Sequence, residues 1–148
     1  ITKNKTSFSY PSEQHRSFMI TSYKLFSDNP ILGIGPKNYR NKCSEIILKY
    51  TNNCSTHPHN IFFQILSETG LLGLLIYIYY LFLIFQKILL FVFSRANNNA
   101  SIFFLLPILY YLNPFFPSGN FFNNWFIAIG TFAIPFYLYF NKITFKKN

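Results

Sequence analysis

Polar and apolar residues recur at helical spacing in two stretches of the first 60 positions, and from Ile61 onward the chain is predominantly apolar. Ser12 is placed to cap a helix that has Glu13 in its first turn and runs to about Ser27, where Asn29-Pro30 ends it. Arg16, Ile20 and Tyr23 share one face of that helix. The turn Asn29-Pro30-Ile31-Leu32-Gly33-Ile34-Gly35-Pro36 reverses the chain. After it, Tyr39, Cys43, Ile46, Ile47 and Tyr50 form an apolar stripe with Lys42 and Lys49 off it. This predicts an amphipathic helix that lies on a bilayer surface or packs against other loops. The stretches before Ser12 and from Thr51 to Thr56 are polar and irregular. A new helix is predicted from Pro58, a residue favoured in a first turn, through Glu68, with Gly70 and Gly73 as a weak point.

Residues 71–93 then supply the roughly 20 apolar residues that a membrane crossing needs, interrupted only by Gln86 and Lys87 near the far end. Residues 101–116 are shorter and carry Pro107 and Pro114, which predicts a kinked span or a re-entrant element. Residues 125–140 make a third span, with Gly130 and Pro135 inside it and Trp125 as an interfacial anchor.

Composition supports this reading. With 51% hydrophobic and only 11% charged residues in 148, the chain falls outside the range of soluble domains. The expected fold is all-α, a polytopic helical membrane protein. Residues 1–60 form an exported loop of short amphipathic helices, and residues 61–148 form a membrane region of about three helices. The sequence opens on Ile1 with no leader and no early span, so it reads as the C-terminal part of a longer multi-pass protein.

Charge assigns the sides. Short basic flanks mark the cytoplasm, and the loop with Arg95 and the tail with Lys142, Lys146 and Lys147 fall on one side by parity. The uncharged 113–124 loop and residues 1–60 fall on the other, the periplasm or cell exterior. Residues 1–60 nevertheless hold eight Lys or Arg against Glu13, Asp28 and Glu45, and an anionic ligand such as phosphate accounts for that excess. Nucleic acid does not fit, because the basic residues adjoin membrane spans. Cys43 and Cys54 lie in the segment where oxidation is possible, as a disulfide or as two free thiols.

The chemistry concentrates in Thr56-His57-Pro58-His59-Asn60, directly before the apolar run. A histidine at a helix N-terminus is held neutral and can accept a proton. Helical spacing puts Glu68 on the face opposite His59, so the two form no catalytic pair unless the helix breaks. His57, His59 and Cys54 lack a fourth ligand for zinc. Ser55 and Cys54 lie in no nucleophile elbow, and Gly33-x-Gly35 is too short for a dinucleotide fingerprint. Arg16 alone reads more readily as a solvated helix charge than as a functional group. Lys37, Arg40, Lys42 and Lys49 read as a face that attracts phosphates or lipid headgroups.

The order of these features resembles the C-terminal half of the bacterial O-antigen ligase and polymerase family. The resemblance rests on Arg16 in its helix, on Asn29-Pro30-Ile31-Leu32-Gly33-Ile34-Gly35-Pro36 with Tyr39 after it, and on His57-Pro58-His59-Asn60 followed by Gln64, Glu68 and Gly70-Leu71-Leu72-Gly73. It implies an inner-membrane enzyme with a periplasmic loop over a helical bundle. Such an enzyme transfers a glycan from an undecaprenyl pyrophosphate carrier to a lipid A core or glycan acceptor, with no cofactor and no metal ion. Arg16 would grip the pyrophosphate through a bidentate fork, with Lys37, Arg40 and Asn60 also binding substrate. His59 would activate the acceptor hydroxyl, with His57 as the weaker candidate. The chain departs from the pattern in having Met19 or Ile20 where a tryptophan is common and Lys37 where a glycine is common. Ligase and polymerase are not separable at this level. Two other readings are a small-solute transporter, disfavoured by the scarcity of ionisable residues in the spans, and an assembly subunit whose basic loop only binds headgroups.

Overall fold

The computed structural model describes residues 12–50, 54–93 and 100–147, and every regular element among them is helical. The irregular start (1–11), part of the polar loop (51–53), the loop with Arg95, and the side chains of Ile47, Lys49, Tyr50, Lys146 and Lys147 lie outside the described residues.

Helix α1 spans Glu13–Asp28, and the Ser12 side chain accepts a hydrogen bond from the His15 amide. Its inner face buries Phe18, Thr21, Ser22 and Leu25. Helix α2 spans Tyr39–Tyr50. Tyr39, Cys43 and Ile46 from its stripe are buried in a cluster with Leu25 of α1, flanked by Ile34. Those three positions therefore pack against protein, and the bilayer-surface alternative fails for them. A disulfide joins Cys43 to Cys54, with the Cα atoms 5.8 Å apart, and ties α2 to the segment that carries the histidines.

Helix α3 spans Ile61–Phe93 and is the one described helix long and apolar enough to cross a bilayer. It begins later than the sequence predicts. His59 adopts a left-handed backbone with φ 57°, and its carbonyl accepts a hydrogen bond from Ser118 N–H at 2.8 Å, so the helix cannot start at Pro58. Asn60 is the cap instead, accepting from the Phe63 amide at 3.2 Å.

The weak point at Gly70 is a true break. Gly70 has φ 65° and ψ −160°, a region open in practice only to glycine. A break inside a helix frees carbonyls on one side and amides on the other, and the 30–35 turn satisfies both sets. Ile34 and Gly35 donate to the Ser67 and Glu68 carbonyls at 3.0 and 2.9 Å, and Leu71 and Leu72 donate to the Pro30 and Ile31 carbonyls at 2.8 and 3.2 Å. Each buried backbone group left unmet would cost about 1–3 kcal/mol, so the turn and the break stabilise one another.

The remaining helices are short. A 3-10 turn, Ala100–Phe104, leads into α4, Leu105–Tyr111. The predicted 101–116 span thus loses helicity after Tyr111, as the chain bends into the loop that holds Pro114. The predicted 125–140 span is α5, Asn124–Thr131, and α6, Ala133–Lys147, separated at Phe132. Pro135 has no N–H to bond the Thr131 carbonyl, and its ring crowds that carbonyl. Phe104 stacks on Phe136 and Phe140 at 5.7 and 5.4 Å. Leu105, Ile108 and Ala133 bury a small core that includes Ile84 and Ile88 of α3.

Candidate active site

The 113–124 loop packs onto the start of α3. Asn60 donates to the Pro114 carbonyl at 2.8 Å. Gln64 donates to Asn120 Oδ1 at 2.7 Å and accepts from the Phe121 amide at 2.9 Å. This polar lock fixes the histidine turn against the loop.

Within that turn the His57 and His59 rings lie 4.0 Å apart. The His59 ring rests on Phe18 at 5.4 Å, and its Nε2 pairs with Ser55 Oγ at 3.0 Å. His15, one turn before Phe18 on α1, brings a third imidazole to 6.3 Å from His59, with Ser12 Oγ 2.8 Å from its Nδ1. All three histidines of the chain therefore converge on one spot.

The surroundings of His57 and His59 favour neutral rings. Burial, then the neighbouring His59, and more weakly the Arg40 charge push His57 down from 6.5 to about 4. The Ser118 main chain lies close enough to oppose that shift without closing a hydrogen bond to Nε2. Burial, then the His15 charge, lower His59 as well.

A second polar assembly supports the site from below. Tyr39 is wholly buried; its hydroxyl donates to the Phe18 carbonyl at 3.2 Å, and its amide donates to Glu68 Oε1 at 2.9 Å. Burial pushes the Tyr39 hydroxyl up to about 12, so it remains a donor. The other Glu68 oxygen accepts from Gln64 at 3.0 Å. Glu68 thus places a carboxyl at the N-terminus of α2, where the helix dipole favours it, and locks α2 to α3. Its engagement with Tyr39 and Gln64 leaves it apart from His59, although His59 lies outside the helix on which the spacing between the two was counted.

The other sequence-predicted residues divide. Arg40 is exposed beside Tyr39, and its charge reaches His57. Arg16 follows His15 by about 100° around the helix and lies on the outer face with Ile20 and Tyr23, which are 43% and 63% exposed. Lys37 is exposed at the end of the turn with φ 64°, the backbone that a glycine would adopt freely. Asn60 is buried, with both ends of its amide occupied by the Pro114 and Phe63 bonds. The sequence reading did not single out His15, and it weighed Ser55 only as a nucleophile. The signal for His15 was its i, i+3 spacing to Phe18 on the inner face of α1.

No curated protein and no solved structure matches the chain. The family described as O-Antigen ligase matches residues 5–78, half of the sequence, from before α1 through the turn, the histidines and the Gly70 break. The match spans every side chain that builds this site apart from the 113–124 loop, and the chain belongs to the O-antigen ligase family.

Proposed function

We propose that the chain forms part of the active site of a membrane glycosyltransferase that moves a glycan from undecaprenyl pyrophosphate to a hydroxyl of a lipid A core or glycan acceptor. Membership of the family carries lipid-linked glycan substrates and glycosyltransferase-like chemistry in general. The observation that carries the finer reading is the His57–His59 pair, kept neutral beside Arg40 and one short helical segment before the membrane-crossing part of α3.

In this reading His59 accepts the acceptor hydroxyl proton as the oxygen bonds to the anomeric carbon. The bond from that carbon to the pyrophosphate breaks, and its electron pair leaves with the phosphate. Arg16, Arg40 and Lys37 neutralise the leaving group, so charge compensation rests on side chains rather than on a metal ion. Residues 1–60 and the 113–124 loop face the periplasm, where the Cys43–Cys54 disulfide is stable. The chain crosses the inner membrane about three times, and the C-terminus is cytoplasmic. The family match lends no support to solute transport.

The test is a strain lacking the full-length gene, complemented with wild type or His59→Ala, with surface glycolipids and carrier-linked glycans separated by size. Loss of glycan from the surface and polymer stranded on the carrier, restored by wild type and not by His59→Ala, is expected for a ligase. Single repeat units in place of polymer identify a polymerase. Unchanged glycans in both pools would sink the transferase reading.

A further inference from the structure

Hydrogen bonds register the 30–35 turn against one level of α3. The Leu71 and Leu72 amides donate to the Pro30 and Ile31 carbonyls at 2.8 and 3.2 Å, so the tip of the turn lies beside the first two residues of the apolar run. Polar groups and apolar surface part at that level. Before Gly70 stand the histidine pair and the buried Gln64–Glu68 assembly. Beyond it Leu71, Leu72, Leu75 and Ile76 are all about half exposed, a continuous apolar face that water does not favour. The run from there to Phe93 is long enough for the hydrocarbon core. With α3 crossing the bilayer, the Gly70 level is where it enters.

Helix α5 marks the same level independently. The Tyr77 hydroxyl donates to the Leu112 carbonyl at 2.6 Å, and Gly130 lies so close to Tyr111 that a Cβ would run into its ring. Through the neighbouring residues Tyr111 and Leu112, these contacts put Tyr77 of α3 and Gly130 of α5 at about one height. Counted back along each helix at about 1.5 Å per residue, Leu72 and Trp125 stand equally far above that height. Trp125 is 81% exposed, and tryptophan favours the boundary between lipid and water. Ile31 and Leu32, beside Leu71 and Leu72 at this level, are 70% and 67% exposed. The exposed cations Lys37 and Arg40 follow the turn in the chain, a flank that suits the phosphates of the headgroup layer.

We propose that the Ile31–Leu32 tip of the turn dips into the bilayer where α3 enters it, with lipid acyl chains as its partner. The proposal rests on the reading of α3 as a membrane crossing and not on the glycosyltransferase reading. It gives the turn a second role: besides filling the Gly70 break, it holds α1 and the histidine turn at a fixed height over the membrane surface, where the head of a lipid-anchored substrate lies.

The test places a nitroxide on Ile31→Cys or Leu32→Cys in the full-length protein, with cysteines other than the Cys43–Cys54 pair replaced, in vesicles of phosphatidylethanolamine and phosphatidylglycerol. Gln14→Cys, exposed on α1, serves as the aqueous reference, and Phe82→Cys, 59% exposed within the apolar run, as the lipid reference. Positions 31 and 32 are expected to show relaxation by oxygen and loss of relaxation by a water-soluble nickel complex, as at 82 and unlike 14. Nickel relaxation at 31 and 32 as strong as at 14 overturns the proposal. Shielding from both reagents also overturns it, because another protein segment or a second copy then covers the tip. Nickel access at 82 removes α3 from the bilayer and the proposal with it. None of these readouts involves glycan transfer, so failure of the transferase reading leaves the lipid contact standing.

Discussion

Gly33 and Gly70 pack backbone to backbone across the break in α3. A Cβ on Gly33 would sit 2.5 Å from the Glu68 carbonyl carbon and the Thr69 nitrogen, and one on Gly70 would sit 2.5 Å from the Ile31 carbonyl oxygen. Two motifs separated by more than thirty residues are thus one unit: the Pro30 to Gly35 turn fills the gap that Gly70 opens in the helix. Next to the break, Glu68 accepts from the Tyr39 amide, and the Tyr39 hydroxyl reaches the carbonyl of Phe18, whose ring packs on His59.

Gly33→Ala and Gly70→Ala are each expected to destabilise the protein by at least about 1–3 kcal/mol from backbone strain alone, with the steric clash adding to it. Since both act on one contact, the double variant should lose less than the sum of the two. Melting of the detergent-solubilised full-length protein checks this, and an unshifted transition in either single variant would contradict it. Lys37→Gly, at φ 64°, should leave the melting unchanged or raise it.

Ser55 is expected to hold the His59 ring in position. Its Oγ lies 3.0 Å from His59 Nε2, a contact that fixes the orientation of the ring and selects its tautomer. Ser55→Ala should lower kcat about tenfold and move the acid limb of the pH–rate profile, and Ser55→Thr should restore both. An unaltered profile in Ser55→Ala would remove the residue from the mechanism.

Arg16→Lys is expected to lose most transfer activity, because a point charge cannot reproduce a bidentate fork on pyrophosphate. Arg40→Lys should be milder, since it preserves the charge that His57 senses. Near wild-type turnover of Arg16→Lys in membranes would count against a phosphate grip at that position.

Acid should destabilise the fold through His57. Its folded value is about 4 against an ordinary 6.5, so below pH 6.5 the unfolded chain binds the proton more readily. The stability that neutral His57 contributes is fully present above about pH 6.5 and is lost progressively as pH falls toward 4. In thermal melts across that window, His57→Gln should fall less steeply with acidification than wild type. Parallel curves would place the acid sensitivity elsewhere.

The Cys43–Cys54 link should make alkylation depend on prior reduction. Its removal should cost roughly 2–4 kcal/mol, since it closes a loop of sequence separation 11. Alkylation of both thiols in unreduced full-length protein would exclude the link.

Much of the local structure was legible in the residues themselves. The Ser12 cap, the end of α1 before Asn29-Pro30, the stripe of α2 and the weakness at Gly70 all follow from short-range rules, because caps, periodicity and glycine act over one or two turns. Where a local rule failed, a long-range contact had overridden it. Pro58 is a good first-turn residue, yet the Ser118 amide holds His59 outside the helix. The α2 stripe has the pattern of a surface helix, yet Tyr39 and Cys43 are buried completely.

The sequence by itself determined the helical class, the long apolar run beyond Gly70, the clustering of basic residues before it and the residue types available for chemistry. Only the tertiary structure decided which of those residues meet. It joined His15 and Ser55 to His59, turned the Asn60 amide to the Pro114 carbonyl, left Arg16 on an outer face and seated the Pro30 turn in the Gly70 break. Periodicity reports which side of its own helix a residue occupies. Which other segment covers that side is set by the pairing of freed backbone groups and the filling of space between distant parts of the chain.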